Sequence, residues 1–233
     1  MKYWLDTEFI ENGKTIDLIS IGIVAEDGRE YYAINNLCNF SNASDWVKDN
    51  VISKLPDSFV NPQTASPSEL EGMFYWKDKP MIANEVAQFL GCVGEVSTVE
   101  PQGFRKLISN LQAVSPNWLV RLFQSTKFLA YYQRTKTKYK VFGKKPEIWA
   151  YYADYDWVVF CQLFGTMMDL PDGFPMYCRD LKQECDRLGN PDLPLQESGE
   201  HNALVDARWN RKAWEFLKDY NCNAGCVVNS DLR

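Results

Sequence analysis

The chain is poor in the side chains that soft-metal and redox chemistry need. It has one histidine, His201, among 233 residues. Its seven cysteines (Cys38, Cys92, Cys161, Cys178, Cys185, Cys222 and Cys226) are scattered, and no two form a Cys-x-x-Cys pair. That leaves no zinc-ribbon or dithiol motif and points to a reducing compartment. Cys222 and Cys226 lack the second ligand pair that a structural zinc site requires. No apolar run approaches the roughly 18 residues of a membrane span. The opening Met1-Lys2-Tyr3-Trp4-Leu5-Asp6 has neither a long apolar stretch nor a small-residue cleavage site, so no signal peptide is expected. These absences predict a soluble cytoplasmic protein without a membrane partner.

The hydrophobic content of 45% and aromatic content of 14% fit a globular chain, long enough for one domain with a large core and an insertion. The net charge of −6 is unevenly spread. Residues 101–146 hold ten Lys and Arg (Arg105, Lys106, Arg121, Lys127, Arg134, Lys136, Lys138, Lys140, Lys144, Lys145) and no Asp or Glu, so the rest of the chain carries −16. Such asymmetry predicts a local polyanion-binding surface on an acidic body. Interleaved Tyr131, Tyr132, Tyr139 and Phe142 fit a groove in which bases stack and cations meet phosphates, with Lys136, Lys138 and Lys140 as candidate contacts. A solvated basic helix face is the plainer alternative.

Residues 2–9 form an expected strand on which Asp6 and Glu8 share a face, because side chains alternate. Residues 17–25 and 29–34 are further expected strands, joined by a tight turn at Asp27-Gly28. Together these make an antiparallel meander opening a mixed sheet. A helix is expected over 45–55, and a surface loop over 57–68. Residues 80–92, 102–114 and 117–134 have helical patterns, so 58–146 is expected to be a mostly helical, basic insertion in a single domain spanning 1–233. A buried strand at 147–152, a helix at 155–165, a short strand at 175–178, a helix at 181–188 capped by Asp180, and a helix at 202–220 complete the pattern. The class is α/β: a mixed sheet flanked by helices.

Phosphodiester hydrolysis needs an activated water, neutralised non-bridging oxygens and a stabilised leaving oxygen, which two divalent ions about 4 Å apart can supply. Magnesium and manganese favour oxygen ligands. Asp6, Glu8 and Asp206 suit that role, and residues 151–160 offer a further acid, with Asp154 and Asp156 competing. His201 and Asp206 are spaced to flank a helix start.

These motifs, Asp6-Thr7-Glu8, Ala153-Asp154-Tyr155-Asp156-Trp157-Val158-Val159-Phe160 and His201-Asn202-Ala203-Leu204-Val205-Asp206-Ala207, resemble those of the DEDDh 3′-to-5′ exonucleases, which share a ribonuclease-H-like fold. Within that family the chain is similar to the small bacterial and phage-type exoribonucleases described as polyadenylate-specific, over residues 1–56 and 146–219. The resemblance selects Asp156 over Asp154. It implies that Asp6, Glu8, Asp156 and Asp206 hold two Mg2+ or Mn2+ ions and that His201 is the general base, a role suited to imidazole near neutral pH. Phe9, following the first motif, is a candidate to stack on the 3′-terminal base. The substrate expected is the 3′ end of single-stranded RNA or DNA, RNA favoured, with nucleoside 5′-monophosphates released. A homodimer is implied as well. Two other readings stand beside it: a DNA-directed 3′-to-5′ exonuclease, and a nucleic-acid-binding module on a vestigial nuclease fold. Glu197 is expected in a polar loop bordering the site.

Overall fold

The computed structural model describes residues 1–59, 64–98, 135–196 and 198–228. Three strands form the expected meander: β1 (Lys2–Glu11), β2 (Ile16–Ala25) and β3 (Glu30–Asn35), each antiparallel to the next. The turn between β2 and β3 is closed by Gly28, whose φ of 90° suits a residue without Cβ. β4 (Trp76–Lys77) adds parallel to β3, while β7 (Glu147–Ala150) and β8 (Arg179–Asp180) extend the other side in parallel. The six-stranded order is β4-β3-β2-β1-β7-β8, which puts β1 at the centre.

Alternation along β1 sorts the two faces. Tyr3 and Leu5 face a core shared with α3 (Lys79–Phe89), through Ile82, Val86 and Leu90, and α4 (Asp154–Phe164), through Val159 and Phe160. Trp4 faces the opposite side and packs with Ala207 of α6 (Ala203–Val228). Between α4 and α6 lies α5 (Leu181–Arg187), whose Leu181 and Cys185 meet Ala213 and Leu217. Two short helices, α1 (Asp45–Asn50) and α2 (Pro67–Met73), complete the described α-helices, with 3-10 turns at Phe40–Asn42, at Ile52–Lys54 after α1 and at Met167–Asp169.

Helix α6 comes unusually near the sheet. A Cβ placed on Gly22 would lie 2.2 Å from the Ala203 carbonyl oxygen, so only glycine admits the first turn of α6 over β2. Asn210, further along the helix, donates from its buried Nδ2 to the Leu5 carbonyl at 2.8 Å. Gly22→Ala is expected to force that turn off the sheet at a cost of roughly 3 kcal/mol or more, lowering Tm by about 6–12 °C. A circular-dichroism melt reads it, and an unchanged Tm would contradict the close approach.

One expectation needs correction, and another is met only in part among the described residues. In the described part of 58–146, β4 and an antiparallel ladder of β5 (Cys92–Thr98) and β6 (Thr135–Val141) stand beside α2 and α3. The alternation Thr135-Lys136-Thr137-Lys138-Tyr139-Lys140-Val141 has a period of two and carries β-branched residues, which favours strand. The helices expected over 102–114 and 117–134 lie outside the described residues. The short strand expected at 175–178 falls instead at Arg179–Asp180, where register with Trp149 and Ala150 of β7 sets it.

Candidate active site

The acids gather around the middle of β1, where α4 brings Asp156 and α6 brings Asp206. Asp6 pairs across the ladder with Gly22 and Glu8 with Ser20, on the face approached by α6. Just beyond, the register slips between Glu8 and Phe9, a bulge of the kind that re-aims side chains. Phe9 packs on the other face, its ring 5.6 Å from that of Tyr155 with the planes at 29°.

Asp156 arrives from the first turn of α4 and is 6% exposed, whereas Asp154, two residues earlier on the same turn, is exposed. Thr7 fixes it. The Thr7 amide donates to Asp156 Oδ1 at 2.8 Å, and the Thr7 hydroxyl donates to the same oxygen at 2.6 Å. The residue between the two strand acids thus tethers the third from behind. Asp180 secures the start of α4: its Oδ2 accepts from the Ala153 amide at 2.8 Å, while Oδ1 caps α5 through Lys182 and Gln183.

Asp206 projects from the opening of α6, where the Asn202 side chain accepts from the amides of Leu204 and Val205. Its Oδ1 accepts from Gln196 Nε2 at 2.5 Å and its Oδ2 from the His201 amide at 3.0 Å. His201 sits at φ 64°, a left-handed backbone in which histidine is among the enriched residues. Its ring lies edge-on to Trp46 of α1, centroids 4.9 Å apart. One ligating atom each from Glu8, His201 and Asp206 lies within 4.8 Å of the others.

The electrostatics follow from this crowding. Burial pushes the Asp6 carboxyl well above the usual range, helped by the neighbouring charges of Asp156, Asp206 and Glu8. Glu8 is pushed up to about 8 by burial and then by Asp206 and Asp156, against a small opposing pull from Lys54. Asp156 rises to about 7 through burial, which outweighs the Thr7 hydrogen bonds. Asp206 is raised by burial too, offset in part by Gln196 and the His201 amide. The crowded acids therefore hold protons toward neutral pH, and positive charge brought among them would favour their ionised forms.

The sequence-derived residues therefore separate. Asp6, Glu8, Asp156, His201 and Asp206 come together, and Phe9 flanks them. Lys136, Lys138 and Lys140 lie on β6 of the separate ladder, where Lys140 pairs with Asp172 at 3.7 Å. Glu197 lies outside the described residues. Four participants were not legible beforehand: Thr7, Gln196, Trp46 and Lys54. Thr7 alone had a signal, its place inside the Asp-x-Glu motif.

An acid cluster with one imidazole, built around the middle of a central strand, is a constellation suited to phosphoryl-transfer chemistry. The chain belongs to the family described as the 3′-5′ exoribonuclease Rv2179c-like domain, which matches residues 1–218. Two proteins of Mycobacterium tuberculosis are similar to it: the 3′-5′ exoribonuclease Rv2179c of strain ATCC 25618 / H37Rv and the 3′-5′ exoribonuclease MT2234.1 of strain CDC 1551 / Oshkosh. Each is 33% identical over 208 residues, covering 89% of this chain and 88% of the relative.

Proposed function

We propose that this protein is a metal-dependent 3′-to-5′ exoribonuclease of the DEDDh type on a ribonuclease-H-like fold, removing nucleoside 5′-monophosphates from single-stranded RNA. The convergence of Asp6, Glu8, Asp156 and Asp206 around His201 carries this reading. Family membership supports the reaction class, and the mixed sheet with helices on both faces supports the fold assignment.

The donor set fits Mg2+ or Mn2+. Every carboxylate offers hard oxygen, no thiolate stands in the cluster, and burial has left the acids mutually repelling in the absence of cations. Asp6, Glu8, Asp156 and Asp206 would hold two ions, which when bound supply Lewis-acid neutralisation of the phosphate oxygens and of the leaving oxygen. The protein's own contribution is positional. Thr7 fixes Asp156, and Gln196 and the His201 amide fix Asp206, so neither carboxylate has to reorganise when substrate arrives. His201, on a strained turn beside Glu8 and Asp206, accepts the proton of the attacking water. Phe9 and Tyr155 offer an aromatic face for the terminal base.

Purified protein with Mg2+ or Mn2+ should shorten a 5′-labelled oligoribonucleotide one nucleotide at a time, poly(A) included, and EDTA should stop it. Matched DNA should be cut more slowly. Equal degradation by the wild type and an Asp206→Asn variant would assign the activity elsewhere.

A further inference from the structure

Resting on the exonuclease reading, we propose that Lys54 is the protein's phosphate-binding cation at this site, its ammonium taking a non-bridging oxygen of the scissile linkage. Lys54 ends the 3-10 turn after α1, and that segment forms a wall of the site. The wall is anchored: Val51, with Val47, Ile52 and Leu55 beside it, packs on Ile10 of β1 and Ile19 of β2. It presents two side chains to the loop that carries the general base. Trp46 meets the His201 ring at 4.9 Å, and Lys54 Nζ donates to the carbonyl of Glu200, the residue before His201, at 3.3 Å.

Lys54 differs from the chain's paired surface cations. Its hydrogen-bond partner is a neutral carbonyl, and among the described residues no carboxylate lies within ion-pair distance of it. An ammonium has three donors, so two remain. The carbonyl it meets belongs to the residue before His201, whose ring stands with Glu8 and Asp206, so the ammonium lies beside the acid cluster. A phosphodiester drawn toward His201 and Glu8 enters the reach of this cation, and a charge-assisted contact there strengthens as charge builds on the phosphorane oxygens. Lys140, from the basic block, is already paired with Asp172 at 3.7 Å.

The competing account is a tether: Lys54 only steadies the Glu200 carbonyl and so the His201 loop. Lys54→Gln keeps a hydrogen-bond donor without the charge, and Lys54→Arg keeps the charge. On a 5′-labelled oligoribonucleotide with Mg2+, Lys54→Ala and Lys54→Gln should each lower kcat/KM by roughly 10- to 100-fold, and Lys54→Arg should retain most of it. In an Asp206→Asn background that does not cut, adding Lys54→Gln should reduce the slope of log affinity for the same oligonucleotide against log salt by about 0.7, as expected for one lost phosphate contact on a single strand. Wild-type-like kcat/KM in Lys54→Gln, or an unchanged salt slope, overturns the phosphate contact while leaving the exonuclease reading intact. A wild type that neither shortens nor binds RNA overturns both.

Discussion

Replacing His201 with alanine should lower kcat on oligoribonucleotides by about 10²- to 10⁴-fold, the usual worth of a positioned acid-base group, while oligonucleotide affinity stays near that of the wild type. The geometry makes this substitution unusually clean. It is the backbone amide of His201, not the ring, that donates to Asp206 Oδ2 at 3.0 Å, so truncating the imidazole leaves that hydrogen bond in place. The ring packs edge-on to Trp46, itself exposed, and faces the polar groups of Glu8 and Asp206, so little core packing goes with it. What the substitution removes is the proton acceptor. The left-handed backbone at φ 64° adds a complication, because alanine tolerates it poorly. His201→Asn serves as the partner variant: asparagine suits that conformation yet is no base at neutral pH. Both variants should lose kcat alike, and single-turnover rates should fall with it. Near-normal turnover in His201→Asn would take the histidine out of the chemistry and leave proton removal to a carboxylate.

Part of this site was readable because local rules fix it. Period-two alternation puts Asp6 and Glu8 on one face of β1, and the histidine-to-aspartate spacing places Asp206 in the opening of α6, as found. The meander β1-β2-β3 followed from apolar alternation and the Asp27-Gly28 turn. Asp154 and Asp156 were a harder choice, since both stand in the first turn of α4 with identical local credentials. Only the resemblance separated them. The physical discriminator is a contact 149 residues long in sequence, from Thr7 to Asp156, and no window of chain contains it. Lys54 and Trp46 were missed for the same reason: each meets the His201 loop across some 150 residues, and neither lies in a pattern. The charge count left the secondary structure of its block open. It drew attention to Lys136, Lys138 and Lys140 as a block, when the alternation of the same residues was the sign of strand β6.

Asp6→Asn should abolish activity yet stabilise the metal-free protein. Asp6 stands among Asp156, Asp206 and Glu8, and burial with their repulsion favours its protonated form. In the folded metal-free state Glu8 keeps its proton to about pH 8 and Asp156 to about 7, whereas unfolded carboxylates release theirs near 4. Between these limits the folded state binds more protons than the unfolded one, so stability falls as pH rises. The Tm of wild-type protein in EDTA should therefore decline from pH 5 to pH 8, and Mg2+ or Mn2+ should restore it, because ions that bind only the folded state stabilise it by mass action. Asparagine at position 6 holds the neutral form that the site favours without the cost of taking up a proton on folding, at nearly constant volume. At pH 8 in EDTA the variant should melt above the wild type, by about 2–4 °C for each kcal/mol of that cost removed, with a shallower dependence on pH. Adding metal should then raise its Tm less than that of the wild type, reversing the order of the two proteins. Such a reversal is the mark of a site that gives up folding stability to keep a place for cations. An Asp6→Asn protein that melts below the wild type at pH 8 in EDTA would mean that the Asp6 charge is already compensated within the chain, and the case for a cation there would lose its main support.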